Sequence, residues 1–375
     1  MNLFDVYPLY DVTPVKGKDV FITDDKGKTY LDMYSGHGVV SIGHSHPHYI
    51  LKLKEQLEVI AFYSNAVKNP LQVELAEKLG EVSGYQDYRL FLCNSGAEAN
   101  ENALKLASFH TDKKRVIAFE NSFHGRTSVA VSVTDNPKII APINSTNPTT
   151  FLPLNDMDLV KKELIKGDVC AVIIEGIQGV GGLDEGTTLF FQELENLCEQ
   201  HDVVFIADEV QSGYGRSGKF FAHEFHDVKP DIISVAKGMG NGFPIGGTLI
   251  SSKFQASYGM LGTTFGGNHL ACAAGIAVLD VIEKENLMQN VEQLSNYFIA
   301  EAAKIEQVKN VKGRGLMLGL EFDFEVAELR KNLIYDKHIF TGGANNRNLL
   351  RILPPLTVKK EHIDIFFDAL KEVLE

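Results

Sequence analysis

The sequence has no tryptophan and only four cysteines among its 375 residues. The cysteines, Cys93, Cys170, Cys198 and Cys272, lie far apart and form no C-x-x-C pair. Neither a zinc ribbon nor a redox motif is therefore predicted. Free thiols in a chain of this size favour a reduced, cytoplasmic location.

Basic residues are also scarce, since 36 lysines and arginines face 49 aspartates and glutamates, a net charge of −13. Such a chain has no general attraction to phosphodiester backbones or anionic lipid. No apolar stretch approaches the ~18 residues that span a bilayer. The first ten residues contain no basic side chain of the kind found in export signals. We expect no nucleic-acid partner, no membrane partner and no export.

Short apolar runs alternate with segments of helical period, which is typical of β-α-β units and a largely parallel sheet with helices on both faces. The length allows a large core, and 44% of the residues are hydrophobic. Helices are predicted at 47–60, 69–79 and 187–201, the second with Asn69 as N-cap and Pro70 at the first position. The predicted strands are 89–93, 115–119, 170–175, 203–208 and 231–236.

Both ends of the chain have a different pattern. Residues 19–31 predict a hairpin around the D-D-K-G turn, and 315–322 and 349–353 predict strands among helices. We therefore predict an α/β protein with a large domain at 46–267. The segments 1–45 and 268–375 are expected to form a smaller α+β domain.

Two polar segments follow predicted strands and are candidates for ligand binding. The N-S-G-A-E segment at 94–98 opens a helix, where Gly96 and free N–H groups favour a phosphate. Ser95 and Glu98 also match a plain capping box. Asp208 ends an apolar run, where an ionised carboxylate needs a cation or donors, although it also suits a simple turn cap.

Lys237 ends another apolar strand, next to a glycine-rich loop. Most lysines are solvated surface charges, but burial favours the neutral amine, which forms Schiff bases. Pyridoxal phosphate needs a phosphate cradle, a lysine for its aldehyde and a carboxylate for its ring nitrogen. The 94–98 segment, Lys237 and Asp208 together fit that cofactor better than separate explanations do.

Two other motifs suggest different ligands but lack the required context. The glycines at 213–218 match G-x-G-x-x-G, yet neither a following helix nor an acidic residue about 20 positions on is apparent. A nicotinamide dehydrogenase is therefore disfavoured. His37, His44, His46 and His48 suggest a metal, but Pro47 interrupts them and no H-E-x-x-H is present, so no metal site is predicted.

The residues described so far belong to a longer series of motifs, and on these the chain resembles the class III, fold-type I pyridoxal-phosphate aminotransferases over nearly its whole length. Among them it is most similar to the acetylornithine aminotransferases of arginine biosynthesis. The motifs are G-H-S-H-P at 43–47, N-S-G-A-E-A-N at 94–100, S-F-H-G-R-T at 122–127, D-E-V-Q at 208–211, the glycines of 213–218, A-K-G at 236–238, G-T-T-F-G-G-N at 262–268 and R-I-L-P-P-L at 351–356.

The resemblance implies a role for each matching residue in cofactor binding. Lys237 binds the cofactor aldehyde, Asp208 pairs with the ring nitrogen, Gln211 contacts the ring hydroxyl and Phe123 stacks on the ring. The phosphate is held by Ser95, Gly96, Ala97 and by Thr264 of a partner subunit. A homodimer with shared active sites is therefore expected.

The resemblance also implies the reaction, in which an amino donor and 2-oxoglutarate react in turn and glutamate is released. Arg351 is expected to bind the α-carboxylate of glutamate. Arg126 is expected to bind its distal carboxylate or the α-carboxylate of an N-acylornithine. A guanidinium fork suits both carboxylates. Ornithine and 4-aminobutyrate aminotransferases are the alternatives within the fold, and a non-catalytic binding protein would not need Lys237 with Asp208.

Two departures from the family pattern concern the substrate. The family usually has Glu-Pro-x-Gln-Gly-Glu where this chain has E-G-I-Q-G-V, so Val180 replaces the carboxylate that covers the arginine corresponding to Arg351 in ornithine aminotransferases. We hypothesise that Arg351 has another gating partner or that the donor carries its own extra charge. His37 stands where relatives have an aliphatic residue or tyrosine. It is predicted to contact an acyl group, such as acetyl or succinyl, or to contact nothing.

Overall fold

The computed structural model describes residues 1–375 and is organised around a seven-stranded sheet. Strand β10 runs antiparallel to both of its neighbours, and the other strands run parallel to one another. The predicted α/β class with a mostly parallel sheet is therefore confirmed. In spatial order the strands are β4 (Arg89–Cys93), β10 (Gly246–Ile250), β9 (Ile232–Val235), β8 (Val204–Asp208), β7 (Val169–Glu175), β5 (Arg115–Phe119) and β6 (Thr149–Leu152).

Both faces of this sheet are buried under helices. Alternate residues of one strand enter different apolar clusters: Phe205 packs on one face, and Val204 and Ile206 pack on the other. This is the period of two expected of a pleated strand buried on both sides. The helices of this part are α2 (Pro47–Val59), α3 (Pro70–Ser83), α4 (Gly96–Thr111), α5 (Ser128–Ser132), α6 (Met157–Leu164) and α7 (Thr188–Gln200).

The predicted helix starts are present. The side chain of Asn69 accepts a hydrogen bond from the N–H of Leu71, and Pro70 is the first residue of α3. Thr187 caps α7 in the same way by accepting from Phe190. Each side chain satisfies one of the N–H groups that the first helical turn leaves unpaired.

The two chain ends meet in one of two smaller sheets. Strand β13 (Ile339–Phe340), near the C-terminus, pairs in parallel with β3 (Thr29–Asp32) of the predicted N-terminal hairpin. The first sheet contains β1 (Pro14–Lys18), β2 (Phe21–Asp24), β3 (Thr29–Asp32) and β13 (Ile339–Phe340), and the second contains β11 (Asn310–Arg314), β12 (Met317–Glu321) and β14 (Leu349–Ile352). The helices of this part are α8 (His269–Lys284), α9 (Leu287–Ala302), α10 (Ala327–Tyr335) and α11 (Lys360–Leu374). The single turn α1 (Ser35–Gly38) has positive φ throughout and is therefore left-handed.

Helix α8 connects the two parts of the chain. It packs against α2 and α3 and also against α9. One apolar cluster accordingly contains residues of α3, α8, α9 and α11. The division into 46–267 against 1–45 and 268–375 stays a prediction. No helix combines the length and the apolar composition that crossing a membrane requires.

Candidate active site

A cavity of about 420 Å³ lies at the carboxyl ends of the parallel strands. Ligands of open α/β sheets bind at this edge. Most of the residues predicted from the sequence line it, while Thr264, His37 and Arg351 lie outside its lining. The predicted residues in the lining are Ser95, Gly96, Ala97, Phe123, Arg126, Asp208, Gln211 and Lys237.

The first turn of α4 forms one wall of the cavity. Ser95 Oγ accepts from the N–H of Glu98 at 3.2 Å, while the Glu98 carboxylate accepts from the N–H of Asn94 at 2.7 Å. Capping therefore occurs as the sequence suggested, and it leaves the N–H groups of Gly96 and Ala97 without intrahelical carbonyls. A Cβ on Gly96 would lie 2.5 Å from a methyl carbon of Val210, so only glycine allows this close packing. The wall is suited to an anion.

Asp208 ends β8 and is 4% exposed. Its Oδ2 accepts from Asn100 Nδ2 and from His124 Nδ1, both at 2.7 Å, and its Oδ1 accepts from the N–H of Val210 at 3.0 Å. The contact with Val210 is a turn cap, the simpler role that the sequence predicted for Asp208. Three donors fix the carboxylate, whose chemistry suits a partner such as a protonated ring nitrogen. Asn100 and His124 were not predicted, because nothing in their local sequence signals a partner about 100 residues away.

Lys237 follows β9 and begins a short 3-10 turn with φ 46°. It is partly exposed and lines the cavity. Burial lowers the pKa of its amine, while the negative charges of Asp208 and Glu175 oppose that shift. Because β8 and β9 are adjacent parallel strands, Lys237 and Asp208 emerge side by side. A nucleophilic amine therefore lies beside an anchored carboxylate.

Glu175 is a second buried carboxylate of the cavity, and its position had been predicted only as part of a motif. It ends β7 in register with Asp208. Its oxygens accept from the N–H groups of Phe123 at 2.9 Å and Gly179 at 2.8 Å. Burial, with the charge of Asp208, raises the pKa of Glu175 to about 7, against the opposing effect of His124. The hydrogen bond from the N–H of Phe123 to Glu175 fixes the backbone that carries the Phe123 ring.

Arg126 lies at the exposed rim of the cavity, with no acidic side chain at salt-bridge distance. Its segment is held by Glu101, whose Oε1 accepts from Thr127 Oγ1 at 2.7 Å and from the N–H of Val129 at 2.6 Å. This support was not predicted, because Glu101 lies on α4, more than 20 residues from the segment that it holds. A fixed loop thus presents an unpaired guanidinium to the cavity.

Arg351 lies on β14 and is 3% exposed. Its Nη2 donates to Tyr34 Oη at 2.9 Å, and its Nη1 donates to Gln211 Oε1 at 3.4 Å. Val180 supplies no carboxylate, and Arg351 makes no salt bridge. His37 contacts the same phenol oxygen as Arg351, because its Nδ1 lies 2.6 Å from Tyr34 Oη. Its predicted contact with an acyl group stays a prediction.

Thr264 lies on an exposed loop and does not line the cavity of its own chain. The neighbouring Thr263 Oγ1 accepts from the N–H of Gly266 at 3.1 Å, so this hydroxyl is used within the loop. Phe265 is 60% exposed and packs on the 42% exposed Phe62. The loop therefore presents a hydroxyl and aromatic surface outward.

The disfavoured motifs have other structural roles. The glycines at 213–218 form a turn that is followed by a 3-10 helix at Ala222–His226, so no α-helix opens there for a dinucleotide phosphate. His44, His46 and His48 pair with three different carboxylates, those of Asp32, Glu285 and Asp280.

The residues of the cavity fit pyridoxal phosphate. The first turn of α4 offers N–H groups, and Gly96 allows this turn to pack closely on Val210. The Asp208 carboxylate is held by His124 and Asn100, and Lys237 supplies an amine to the same cavity. These are the three groups that the cofactor requires, within one cavity.

Comparison with known proteins agrees with this fit. Residues 6–374 match the family Aminotransferase class-III. The acetylornithine aminotransferase of Aquifex aeolicus is 42% identical over 99% of this chain and 99% of its own, and that of Bacillus subtilis is 38% identical over 100% and 97%.

Solved structures give the same result for the fold. The ornithine aminotransferase of Toxoplasma gondii has a TM-score of 0.91 at 28% identity and covers 98% of this chain and 91% of its own. The acetylornithine aminotransferase of Elizabethkingia anophelis has a TM-score of 0.85 at 31% identity and covers 98% and 94%. By sequence and by fold, this chain belongs to the class-III aminotransferases.

Proposed function

We propose that this protein uses pyridoxal phosphate to transfer the amino group of an N-acylornithine to 2-oxoglutarate, a step of arginine biosynthesis. The observation that carries the proposal is one cavity lined by Lys237, by Asp208 and by the first turn of α4. The similarity to acetylornithine aminotransferases at up to 42% identity supports the donor. N-acetylornithine is the principal candidate, and N-succinylornithine is the second.

The cofactor supplies an aldehyde that condenses with amines and a ring that withdraws electrons. In our proposal Ser95, Gly96 and Ala97 bind its phosphate. Asp208 keeps the ring nitrogen protonated, and His124 and Asn100 hold the Asp208 carboxylate in place.

The reacting end of the cofactor is handled by three other side chains in this proposal. Phe123 packs on the ring face, and Gln211 contacts the ring hydroxyl. Lys237 Nζ would hold the aldehyde carbon in the absence of substrate. Its amine, whose pKa is lowered by burial, would carry the proton that leaves the substrate carbon.

The carboxylates of the substrates are bound by the two arginines in this proposal. Arg351 binds the α-carboxylate of glutamate, and Arg126 binds its distal carboxylate or the α-carboxylate of the acylornithine. His37 Nε2 faces no partner within the chain and is the proposed donor to the acyl oxygen. If the His37→Ala variant affects acetyl and succinyl donors equally, this acyl contact is wrong.

We further propose a cytoplasmic homodimer in which Thr264 of one subunit completes the phosphate site of the other. The exposed position of Thr264, outside the lining of its own cavity, supports the sharing. Exposed aromatic surface beside it, including Phe62 and Phe265, supports an interface. The four cysteines are free and buried, which is compatible with the cytoplasm. In the proposed domain division, residues 46–267 bind the cofactor.

The reaction is tested with the purified holoenzyme in the absence of any oxoacid. N-acetylornithine, N-succinylornithine, ornithine and 4-aminobutyrate are added one at a time while the visible absorbance of the bound cofactor is followed. Rapid bleaching by one acylated ornithine is expected. Preferential bleaching by ornithine or 4-aminobutyrate would overturn the donor, and failure to bind the cofactor would overturn the chemistry. Lys237→Ala is expected to abolish the response, whereas Lys331→Ala on the exposed face of α10 preserves it.

A mixing experiment tests the shared sites. Lys237→Ala and Thr264→Ala chains are denatured together and refolded as hybrids. If Thr264 acts on the partner, each hybrid contains one site with both native residues, and activity exceeds that of either variant alone. If Thr264 acts within its own chain, no hybrid site is intact and the activity stays at the level of the variants.

A further inference from the structure

Arg351 is a buried cation without an acidic partner. Its guanidinium donates to the backbone carbonyls of Gly179 and Gly343. Its side-chain partners are neutral: Tyr34 Oη at 2.9 Å and Gln211 Oε1 at 3.4 Å. The Tyr34 ring also lies under the guanidinium, 5.6 Å from its centroid. A phenol therefore provides the contact that a carboxylate normally gives a buried arginine.

Tyr34 is in turn fixed by His37. Because the guanidinium can only donate, the phenol oxygen accepts from Arg351 and its proton points to His37 Nδ1, 2.6 Å away. Burial raises the pKa of Tyr34, which keeps the phenol protonated. Burial and then the charge of Arg351 lower the pKa of His37, which keeps the imidazole neutral with its proton on Nε2. Both partners are thus in the protonation states that this chain of hydrogen bonds requires.

The chain of hydrogen bonds closes into a ring through Gln211. Its Nε2 donates to the backbone carbonyl of His37 at 2.9 Å, and its Oε1 accepts from Arg351. Gln211 lines the cavity, so the ring connects the buried arginine with a cofactor-facing side chain. Each bond in such a ring polarises the next and restricts the orientation of its neighbours.

The backbone that carries His37 is held in an uncommon conformation. Four consecutive residues, from Ser35 to Gly38, have φ between 47° and 75°. Asp32 Oδ1 accepts from the N–H groups of Tyr34 at 3.0 Å and Ser35 at 2.6 Å. Such strain persists only where the surroundings fix it, and it is concentrated at ligand clamps and switch regions. The loop therefore aims Tyr34 and His37 at Arg351.

We propose that Tyr34 is a positioning residue that orients Arg351 through a neutral hydrogen bond, in place of the carboxylate that Val180 cannot supply. Four of the five guanidinium N–H groups are engaged, and one on Nη2 is free. A carboxylate that binds in bidentate fashion takes this N–H and displaces the long contact to Gln211. No carboxylate of the chain lies at salt-bridge distance from Arg351, so none has to be displaced by the incoming one. This inference rests on the proposed role of Arg351 in binding the dicarboxylate.

The test measures dicarboxylate binding separately from catalysis. Glutarate, which has neither an amino nor an oxo group, is titrated into the holoenzyme by calorimetry. In Tyr34→Phe the Kd for glutarate is expected to rise about tenfold, the effect of one hydrogen bond to a charged group. The kcat/KM for 2-oxoglutarate is expected to fall by a similar factor through KM. Bleaching by the acylornithine, which is assigned to Arg126, is expected to change less than about twofold.

Two further variants test whether the change in the glutarate Kd depends on the hydrogen bond of Tyr34. His37→Asn keeps a residue that tolerates positive φ but withdraws the acceptor from the phenol, and is expected to raise the glutarate Kd about threefold. Tyr335→Phe removes a phenol that only accepts from the N–H of Asp11 on the surface, and is expected to change nothing. Thermal unfolding is recorded for all the variants.

The outcomes separate this inference from the proposed function. Equal glutarate Kd values for Tyr34→Phe, Tyr335→Phe and the unaltered enzyme would overturn it. A parallel loss for both substrates with a lower Tm would also overturn it, because Tyr34 would then be merely structural. If the enzyme transaminates no acylornithine while the glutarate Kd still depends on Tyr34, the donor assignment fails and the role of Tyr34 stands.

Discussion

The proposed site has a cofactor end, which is the cavity, and a carboxylate-binding end, which is Arg351 with its partners outside the cavity lining. The two ends are built in different ways. At the cofactor end, Asp208 and Lys237 follow adjacent strands of one sheet, so the strand register brings them together. At the carboxylate-binding end, Arg351 comes from β14 and meets Tyr34, which is more than 300 residues away in sequence. The first arrangement follows from a regular ladder, and the second depends on how the two chain ends pack. The cofactor end is therefore set by neighbouring strands of one sheet, whereas the carboxylate-binding end depends on contacts between distant segments.

The largest effect is expected at the cofactor end, from Asp208→Asn. The amide cannot stabilise a protonated ring nitrogen, and His124 Nδ1 loses its ionised acceptor. The kcat is expected to fall by at least about 10²-fold, as for loss of a preorganised charge contact. Steady-state kinetics with saturating cofactor measures it. Asp184→Asn, in an exposed pair with Lys312, is the control and is expected to be neutral; a near-normal kcat for Asp208→Asn would contradict the assignment.

The next effect separates the two arginines. Arg351→Lys is expected to lower kcat/KM for 2-oxoglutarate about 30-fold, because an ammonium cannot reproduce the fork, and to leave the acylornithine half-reaction nearly unchanged. Arg126→Lys is expected to impair both half-reactions about tenfold, less because its site is exposed. Single-turnover rates for each substrate give the comparison, with Arg347→Lys at the exposed Glu325 pair as control. Equal impairment of both half-reactions by Arg351→Lys would contradict it.

A smaller effect is expected when a carboxylate is introduced at the carboxylate-binding end. In Val180→Glu the new carboxylate competes for Arg351, so kcat/KM for glutamate is expected to fall about tenfold while that for the acylornithine is retained. Val180→Gln, of similar size and uncharged, serves as the matched control. An unchanged ratio of donor to glutamate kcat/KM would show that position 180 does not influence Arg351.

The smallest effect is a change in pH-dependent stability at Glu175, which lies between the two ends. Its pKa is raised from 4.5 to about 7, so the folded state holds a proton that the unfolded state has lost. The stabilisation is present below pH 4.5 and is lost as the pH rises through 7. The free energy of unfolding of Glu175→Gln should therefore lack this pH dependence, which amounts to roughly 1–3 kcal/mol between pH 5 and 8. Thermal unfolding of both proteins at several pH values measures it. Identical Tm profiles would show that Glu175 is ionised throughout.

The cofactor end was accessible to sequence reasoning because its signals are local. An apolar strand that ends in Asp208, another that ends at Lys237 and a capped helix start at Ser95 are each visible within ten residues. Parallel pairing then brings strand ends together. The strands at 89–93 and 115–119 were predicted with their observed bounds.

The remaining features depend on contacts between distant segments. Strand β10 begins with two glycines, so it lacks the continuous apolar run by which the other strands were predicted. Its reversed direction within the sheet has no signal in the sequence. Strand β13 has two residues and exists only through its pairing with β3. Tyr34 looked like an ordinary residue after a strand, and only the approach of β14 makes it a partner of Arg351. Such contacts leave no periodicity in the sequence.

The position of helix α8 has a consequence for how the molecule unfolds. It contributes to one apolar cluster of 48 buried residues that extends from the helices beside the large sheet to the C-terminal helix. Neither part of the chain can lose its structure without exposing side chains that the other part covers. We therefore expect a single calorimetric transition, in which the van't Hoff and calorimetric enthalpies agree, although the chain is longer than most that behave in this way.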